Sequence, residues 1–508
     1  MQTMADPIIR AALTAPDGTA VVCGEVNTTF AETMSRCKRL IGYMRSLGLK
    51  TGDRVMIISK NCHRYVESYL AIPAGGFVIV PINTRSTDKE IAYAVTDSGA
   101  RLLITDMSSP GITPEITSMF DHVLKMPDGY ETALAQSEEA PFAEGVSEDT
   151  VAGIFYTSGT TGAAKGVMLT HRNLIANAWT TFTWGRLTED DRWLLMAPMF
   201  HAAGTIAVLA TTWLGATQVV LPAFDPAKAL DLIEQEHVTS TLAVPTMLIA
   251  LIEEQLAKPR DVSSLRLMSH GAAPIATEVL VRAHKVFPDA ELLHLYGTTE
   301  TSPIAVAMPH EERLLGTPRA SSCGQPAIGV QVKVVSSNGM DLPPGQVGEV
   351  HIRGANVMQG YWRKPDETRA VLKNGWYSSG DLGYMDDHGY LFLVDRLKDM
   401  IVTGGENVYS TEVEEVLYAH PMVLEAAVFG VPHPRWGEAV HAVVVPRGEV
   451  TADELMEHCR SRLASFKVPK EIEIRREPLP KSASGKLLKR ELREPYWAGH
   501  ATRIGQYS

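Results

Sequence analysis

The chain has 508 residues, 45% hydrophobic and 21% charged, a balance that suits a globular protein and a length that exceeds one core, so two or more domains are expected. A formal net charge of −12, with no basic block before the C-terminal region, argues against a nucleic-acid binder. Five scattered cysteines (Cys23, Cys37, Cys62, Cys323, Cys459) argue against a disulfide framework or a metal cluster. With no basic-then-apolar leader in residues 1–10, they point to the cytoplasm.

Residues 1–150 read as alternating helix and strand. Apolar spacing predicts helices over 31–47 and 65–74, and strands over 54–58, 77–81 and 100–105. That rhythm implies a largely parallel sheet covered by helices. Residues 151–155 form a further strand. They lead into Tyr156-Thr157-Ser158-Gly159-Thr160-Thr161-Gly162-Ala163-Ala164-Lys165-Gly166, and a helix starts near His171. Three glycines, four hydroxyls and a lysine make a loop able to turn backbone N–H groups, hydroxyl donors and one cation toward phosphate. It is not a Walker A loop, because Ala164 and Gly166 stand where that motif needs glycine and Ser or Thr. A plain surface turn rarely carries that set of side chains.

A strand over 192–198 runs into Met199-Phe200-His201, where His201 by itself reads as a core histidine. Residues 202–221 carry no charge and approach bilayer-spanning length, but their glycines, threonines and glutamine favour a buried helix followed by a buried strand. A helix over 224–237 and strands over 240–244 and 265–269 follow. After the latter, Gly271-Ala272-Ala273 is either an ordinary turn or a place where a flat ring lies against bare backbone. The strand 291–295 ends in Tyr296-Gly297-Thr298-Thr299-Glu300. There a tyrosine suits a purine, a threonine a phosphate and a carboxylate Mg²⁺.

From residue 318 the composition turns to short strands and turns (330–335, 348–353, 389–394), suggesting a small antiparallel barrel-like subdomain. Asp381 follows Gly380 on what reads as a turn; it is an Asx-turn residue or a ligand for vicinal hydroxyls. Residues 394–401 interrupt the apolar strands with charges and read as a linker. Beyond it lie a double-glycine turn (Gly404, Gly405), a helix from Ser410 as N-cap through 418, strands over 426–431 and 438–445, and a helix over 451–463. The basic, small-residue loop from Pro480 to Arg490 ends the readable chain.

These motifs, in this order over roughly residues 21–490, resemble the adenylate-forming superfamily of acyl-CoA synthetases, luciferases and peptide-synthetase adenylation domains. The look is closest to bacterial aryl- or fatty-acyl-CoA ligases. The resemblance implies an α/β fold. A large N-terminal domain (1–397) would hold helix-covered, mainly parallel sheets and the barrel-like subdomain. A small mobile α+β C-terminal domain (398–508) would follow, with a hinge near 395–399. It implies ATP, Mg²⁺ and coenzyme A as cofactor and co-substrates. Thr157, Ser158, Gly159, Thr160, Thr161, Gly162 and Lys165 would grip phosphate. Gly271, Ala272, Ala273 and Tyr296 would hold adenine, Gly297 and Thr298 would belong to the same nucleotide site, Thr299 would face the α-phosphate, and Glu300 with Thr157 would hold Mg²⁺. Asp381 and Arg396 would meet ribose and phosphate, and Lys398 would be the hinge position. Gly404, Gly405, Trp436, Phe466, Lys467 and Lys470 would meet CoA. Lys486 would be the catalytic lysine, and His201 a gate beside the acyl site.

One departure is informative. Leu295 stands where many long-chain relatives have glycine, which implies an aryl or short-to-medium-chain acid rather than a long-chain one. A long-chain fatty-acyl ligase, an enzyme passing the acyl group to a carrier-protein thiol, and a non-catalytic nucleotide-binding module are the competing readings. Expected partners are the acid, ATP and CoA, with no nucleic acid and no transmembrane span. A homodimer and a lysine acetyltransferase acting on Lys486 complete the list, since acetylation would remove the charge that adenylation needs.

Overall fold

Helix starts follow from side-chain caps. Thr29 accepts the Glu32 N–H while the Glu32 carboxylate accepts the Thr29 N–H, and the helix Phe30–Ser46 begins there. The same reciprocal pairs, Thr87 with Glu90, Thr170 with Asn173 and Thr451 with Glu454, open the helices Asp88–Ser98, His171–Gly185 and Ala452–Arg460. In the first of these helices Phe30, Thr33, Cys37, Leu40, Ile41 and Met44 are buried, the spacing of one face. The computed structural model describes residues 2–157, 164–273, 275, 277–311, 314–481 and 487–498.

Four sheets organise the described residues. The first has nine strands in the order Gln325–Pro326, Val306–His310, Glu291–Tyr296, Leu267–Gly271, Ser240–Ala243, Arg192–Leu195, Thr217–Val220, Thr19–Cys23 and Val26–Thr29. Its six central strands are parallel and its edges antiparallel. The second has seven strands, from Gly360–Tyr361 through Lys165–Thr170, Val151–Thr157, Val78–Pro81, Arg54–Ile58 and Leu102–Thr105 to His122–Lys125. Strands such as Val78–Pro81, Leu102–Thr105, Thr217–Val220 and Ser240–Ala243 are buried at every position, which requires cover on both faces. The α/β expectation holds.

The third sheet is the expected small antiparallel unit, built from Val330–Val335, Gly348–Gly354, Leu372–Lys373, Trp376–Met385 and Leu391–Arg396. The fourth, in the C-terminal part, joins Ile401–Thr403, Glu406–Val408, Val423–His433, Gly437–Pro446 and Glu471–Ile474. The chain therefore crosses from one sheet to the next within residues 397–400. The uncharged segment 202–221 resolves as expected into helix Ile206–Leu214 and strand Thr217–Val220, preceded by one 3-10 turn. Among the described residues no helix is long and apolar enough to cross a membrane.

Two local expectations fail. Ser410 is not the cap of its helix: Ser410–Tyr418 includes it, and its N–H is taken by the Asp395 carboxylate at 2.6 Å instead. Asp381 is not on a turn but inside the ten-residue strand Trp376–Met385, next to Gly380 at φ 72°. Only glycine takes that φ without strain, so the pleat can be broken there.

Three neighbouring strands also bring three imidazoles together. His270 pairs with His294 across neighbouring strands, with ring centroids 4.9 Å apart, and His310 lies 5.3 Å from His270. His270 Nε2 and His310 Nδ1 share a hydrogen bond of 3.2 Å. Burial pushes His294 from its ordinary 6.5 down to about 4 and His310 to about 3, and drives His270 well below that ordinary value. The unfolded chain thus takes up these protons before the folded one does. Stability is fully present above pH 6.5 and should be lost as the pH falls from there toward 4 and below. Urea midpoints across that range should fall, and His294→Asn should flatten the decline by about one proton; an unchanged slope would refute this assignment.

Candidate active site

The strand Val151–Thr157 turns back into Lys165–Thr170, which sets Thr157 opposite Lys165. The two strands pair antiparallel as a hairpin. Of the phosphate-loop residues, Ser158, Gly159, Thr160, Thr161 and Gly162 lie outside the described residues. The hairpin is anchored on helix Asp88–Ser98, where the Tyr93 hydroxyl donates to the Ala164 carbonyl at 2.9 Å and Tyr156 to Asp97 at 2.6 Å. On its other side the short strand Gly360–Tyr361 pairs with it, Tyr361 facing Val167.

Thr157 and Lys165 open onto a cleft of about 2450 Å³. Thr298, Thr299 and Glu300 line it from the end of the nine-stranded sheet, and Asp381, Arg396 and Lys398 from the antiparallel sheet and the strand that leaves it. Glu300 accepts a hydrogen bond from the Tyr361 hydroxyl at 2.9 Å. Burial and the Glu300 charge hold the Tyr361 phenol well above its usual range, so it stays a donor. Asp381 accepts from the Tyr296 hydroxyl at 2.8 Å and lies 3.2 Å from Arg396 Nε. The Tyr296 phenol is raised in the same way, by burial and by Asp381.

A second, small cavity of about 50 Å³ adjoins the first and shares His201, Thr298 and Thr299 with it. Its walls are Ile206, Leu242, Val244 and Leu295, with Gly271, Ala272 and Gly297 at the strand ends. Gly271 is obligatory here, because a Cβ would stand 2.0 Å from the Leu295 carbonyl oxygen. Ala272 takes φ 67°, the left-handed turn out of the strand. Ala273 is described but lines neither cavity. His201 opens the 3-10 turn, its Nδ1 accepting the Ala203 N–H at 3.1 Å, so its ring stands where the two cavities meet.

The expected CoA residues gather elsewhere. Gly404 and Gly405, at φ 61° and 89°, form the turn between Ile401–Thr403 and Glu406–Val408, and the Gly404 N–H donates to the Trp436 carbonyl at 2.8 Å. Trp436 stacks on His433 at 4.0 Å with Lys470 5.0 Å over its ring. Lys467 lies near the Phe466 ring but is bound by Glu412 at 2.7 and 2.8 Å, a partner sequence reasoning did not supply. None of these six lines the cleft. Lys486 lies outside the described residues. Lys481 and Leu487 bridge to each other, and Leu487 and Leu488 line the cleft.

Where the chain leaves the antiparallel sheet, a buried ionic cluster joins the strand Leu391–Arg396 to the C-terminal elements. Asp395 accepts from the Ser410 N–H and hydroxyl, Lys489 donates to Ser410 Oγ at 2.8 Å, and Lys489 meets Glu414 at 2.7 Å. Glu414 also accepts the Val428 N–H at 2.7 Å. Burial raises both carboxyls; burial also works against the Lys489 charge, but Glu414 and Asp395 outweigh it. Sequence reasoning missed this cluster and Tyr361, since no spacing links residue 361 to 300 or 489 to 395.

Known proteins are similar to this chain over nearly its whole length. A family model described as AMP-binding enzyme matches residues 9–362, and one described as AMP-binding enzyme C-terminal domain matches residues 412–486. A feruloyl-CoA synthase of Amycolatopsis sp. is 39% identical, covering 96% of this chain and 98% of the relative. ATP-bound MatB from Rhodopseudomonas palustris superposes with a TM-score of 0.89 at 32% identity, covering 97% and 99%, whereas apo MatB gives 0.78. The o-succinylbenzoate CoA synthetase MenE from Bacillus subtilis, in complex with ATP and magnesium ion, gives 0.86 at 31% identity, covering 96% and 99%.

The buried cluster around Lys489 can be checked directly. Lys489→Met leaves Glu414 without its cation and should destabilise the C-terminal elements by about 3–5 kcal/mol. Adding Glu414→Gln, which keeps an acceptor for the Val428 N–H, should restore most of that in chemical denaturation. Equal stability of the single and double variants would count against the pairing.

Proposed function

The chain belongs to the AMP-binding enzyme family, and on that premise we propose that it is an ATP-dependent carboxylate–CoA ligase for an aryl or short-to-medium-chain acid. One juxtaposition carries the reading. Lys165, Glu300, Asp381 and Arg396 face a single cleft, and the residues immediately after Lys486 line it as well.

The chemistry runs in two steps. A carboxylate oxygen of the acid attacks the α-phosphorus of ATP, the bond to the bridging oxygen breaks, and pyrophosphate leaves. The CoA thiolate then attacks the acyl carbon of the adenylate, the thioester forms and AMP departs. The first step drives anion onto anion, so the site has to offset charge where it accumulates. In this reading Lys165 and the loop from Thr157 hold the β- and γ-phosphates, and Thr299 faces the α-phosphate. Tyr296 and the turn at Gly271 and Ala272 hold adenine, and Asp381 with Arg396 holds ribose. Lys486 bridges the substrate carboxylate and the α-phosphate.

The Glu300 carboxylate and the Thr157 hydroxyl are hard oxygen donors of the kind Mg²⁺ takes. Among the described residues no group of three or more His, Cys, Asp or Glu is built to hold a metal ion. An ion shared with a triphosphate needs only one or two carboxylates. Bound there, Mg²⁺ would neutralise phosphate charge. The closer superposition on ATP-bound than on apo MatB supports reading the present arrangement as that of the first step. Gly404, Gly405, Trp436 and Lys470, away from the cleft, would be brought to it for the second. That turn is proposed to occur at 395–399, between domains 1–397 and 398–508, with Lys398 as pivot. The five cysteines are all unpaired thiols, which supports a cytoplasmic location. Partners beyond the substrates would be a second copy of the chain and an acetyltransferase acting on Lys486.

The small cavity supports the acid class. Leu295 is one of its apolar walls, at a position where glycine would leave room for a longer acyl group. Pyrophosphate release from ATP, followed across benzoates, cinnamates and straight chains from acetate to palmitate, should peak in the first groups or at short chains and require CoA for turnover. A maximum at palmitate would overturn the acid class, and about one equivalent released per enzyme even with CoA would point to a carrier-protein thiol as acceptor. Lys486→Ala should abolish adenylation yet keep thioester formation from a supplied acyl-adenylate; equal loss of both would remove Lys486 from the first step.

A further inference from the structure

One aromatic side chain outside the sequence motifs touches two residues assigned to phosphate and metal. Tyr361 is buried, 61 residues from Glu300 in sequence, and its hydroxyl donates to Glu300 Oε1 at 2.9 Å. The face of the same ring carries the Lys165 ammonium, 4.9 Å from the centroid. Its own position is fixed from several sides. Its N–H donates to Thr368 Oγ1 at 2.9 Å, and it pairs with Val167 in the strand that begins at Lys165. The flanking backbone is fastened too: Gln359 donates to the Met168 carbonyl at 3.0 Å and Trp362 to the Gly166 carbonyl at 2.8 Å. Met358 donates to the carbonyl of Glu300 itself at 2.8 Å.

We propose that Tyr361 is a positioning residue that sets the Glu300 carboxylate for Mg²⁺ and the Lys165 ammonium for the triphosphate, tying the two together through one rigid ring. The inference rests on the reading of Glu300 as the metal-holding carboxylate. A carboxylate with one oxygen engaged by a fixed donor can rotate little, so the other oxygen keeps a constant direction; such outer-shell donors govern metal affinity as well as ligand pose. The ring face holds a cation by its quadrupole without neutralising it, which leaves the Lys165 charge whole for the anion. The two contacts use different parts of one side chain, hydroxyl and ring, so they can be separated by substitution.

The test is ATP binding by calorimetry on the full chain without acid substrate, in excess Mg²⁺ and in EDTA. The ratio of the two affinities is the metal coupling. Glu300→Gln should cut that coupling. Tyr361→Phe, which loses only the hydroxyl, should cut it by about tenfold while leaving the EDTA affinity unchanged. Tyr361→Leu, which loses the ring as well, should weaken binding in EDTA too. Combined with Glu300→Gln, Tyr361→Phe should cost no further coupling.

A wild-type coupling in Tyr361→Phe, or equal losses in Mg²⁺ and in EDTA, would overturn the proposal while leaving the Glu300 reading intact. An unaffected coupling in Glu300→Gln would overturn both. Thermal melts of each variant separate misfolding from these outcomes. If Tyr361→Phe does not fold, the Tyr361→Leu and Glu300→Gln variants still decide whether ring and carboxylate act on different terms.

Discussion

A carboxylate buried to 5% exposure has to be paired, and in this molecule Asp381 is paired by two other parts of the chain. Tyr296 reaches it from the end of the nine-stranded sheet, and Arg396 from the last position of the strand that leads into the C-terminal part. Satisfying one charge therefore fixes three segments against each other. The cleft is what is left between them. Asp381 and Arg396 both line it, so the pair that satisfies the buried charge is also part of the cleft's wall.

The same economy runs through the hairpin that carries Lys165. The hairpin is held by Tyr93 and Tyr156 on one side and by the strand Gly360–Tyr361 on the other. Thr157 and Lys165 therefore stand at fixed points on the wall of the cleft. A site built on strand ends is more exact than one built on free loops. The C-terminal part follows another rule. It is fastened by Asp395, Ser410, Glu414 and Lys489 beside the crossing between sheets.

Much of this was legible in the residues. Caps such as Thr29 with Glu32 and Thr451 with Glu454, and uninterrupted apolar runs such as 78–81, are local signals, and the elements stand within a few residues of where they read. The motif residues Lys165, Thr299, Glu300, Asp381 and Arg396 meet in one cleft. What the sequence could not give was pairing between distant elements. Ser410 looks like a cap because it stands before acidic residues, and only the return of strand Leu391–Arg396 supplies the acceptor that takes its N–H. Asp381 looks like a turn residue because of Gly380, yet the neighbouring strands pull it into the sheet. Lys467 looks like a free cation until helix Ser410–Tyr418 brings Glu412 to it.

The edges of the two large sheets have a further consequence. The nine-stranded sheet ends in Gln325–Pro326 and Val26–Thr29, and the seven-stranded sheet in Gly360–Tyr361 and His122–Lys125. These border strands are only two to four residues long. Pro326 has no N–H to offer, and Lys125 sets a charge at the end of another. An open sheet is a template for a neighbour's backbone, and length and flatness decide how well it templates. With borders this short, a newly made or heat-loosened copy finds little to zip onto.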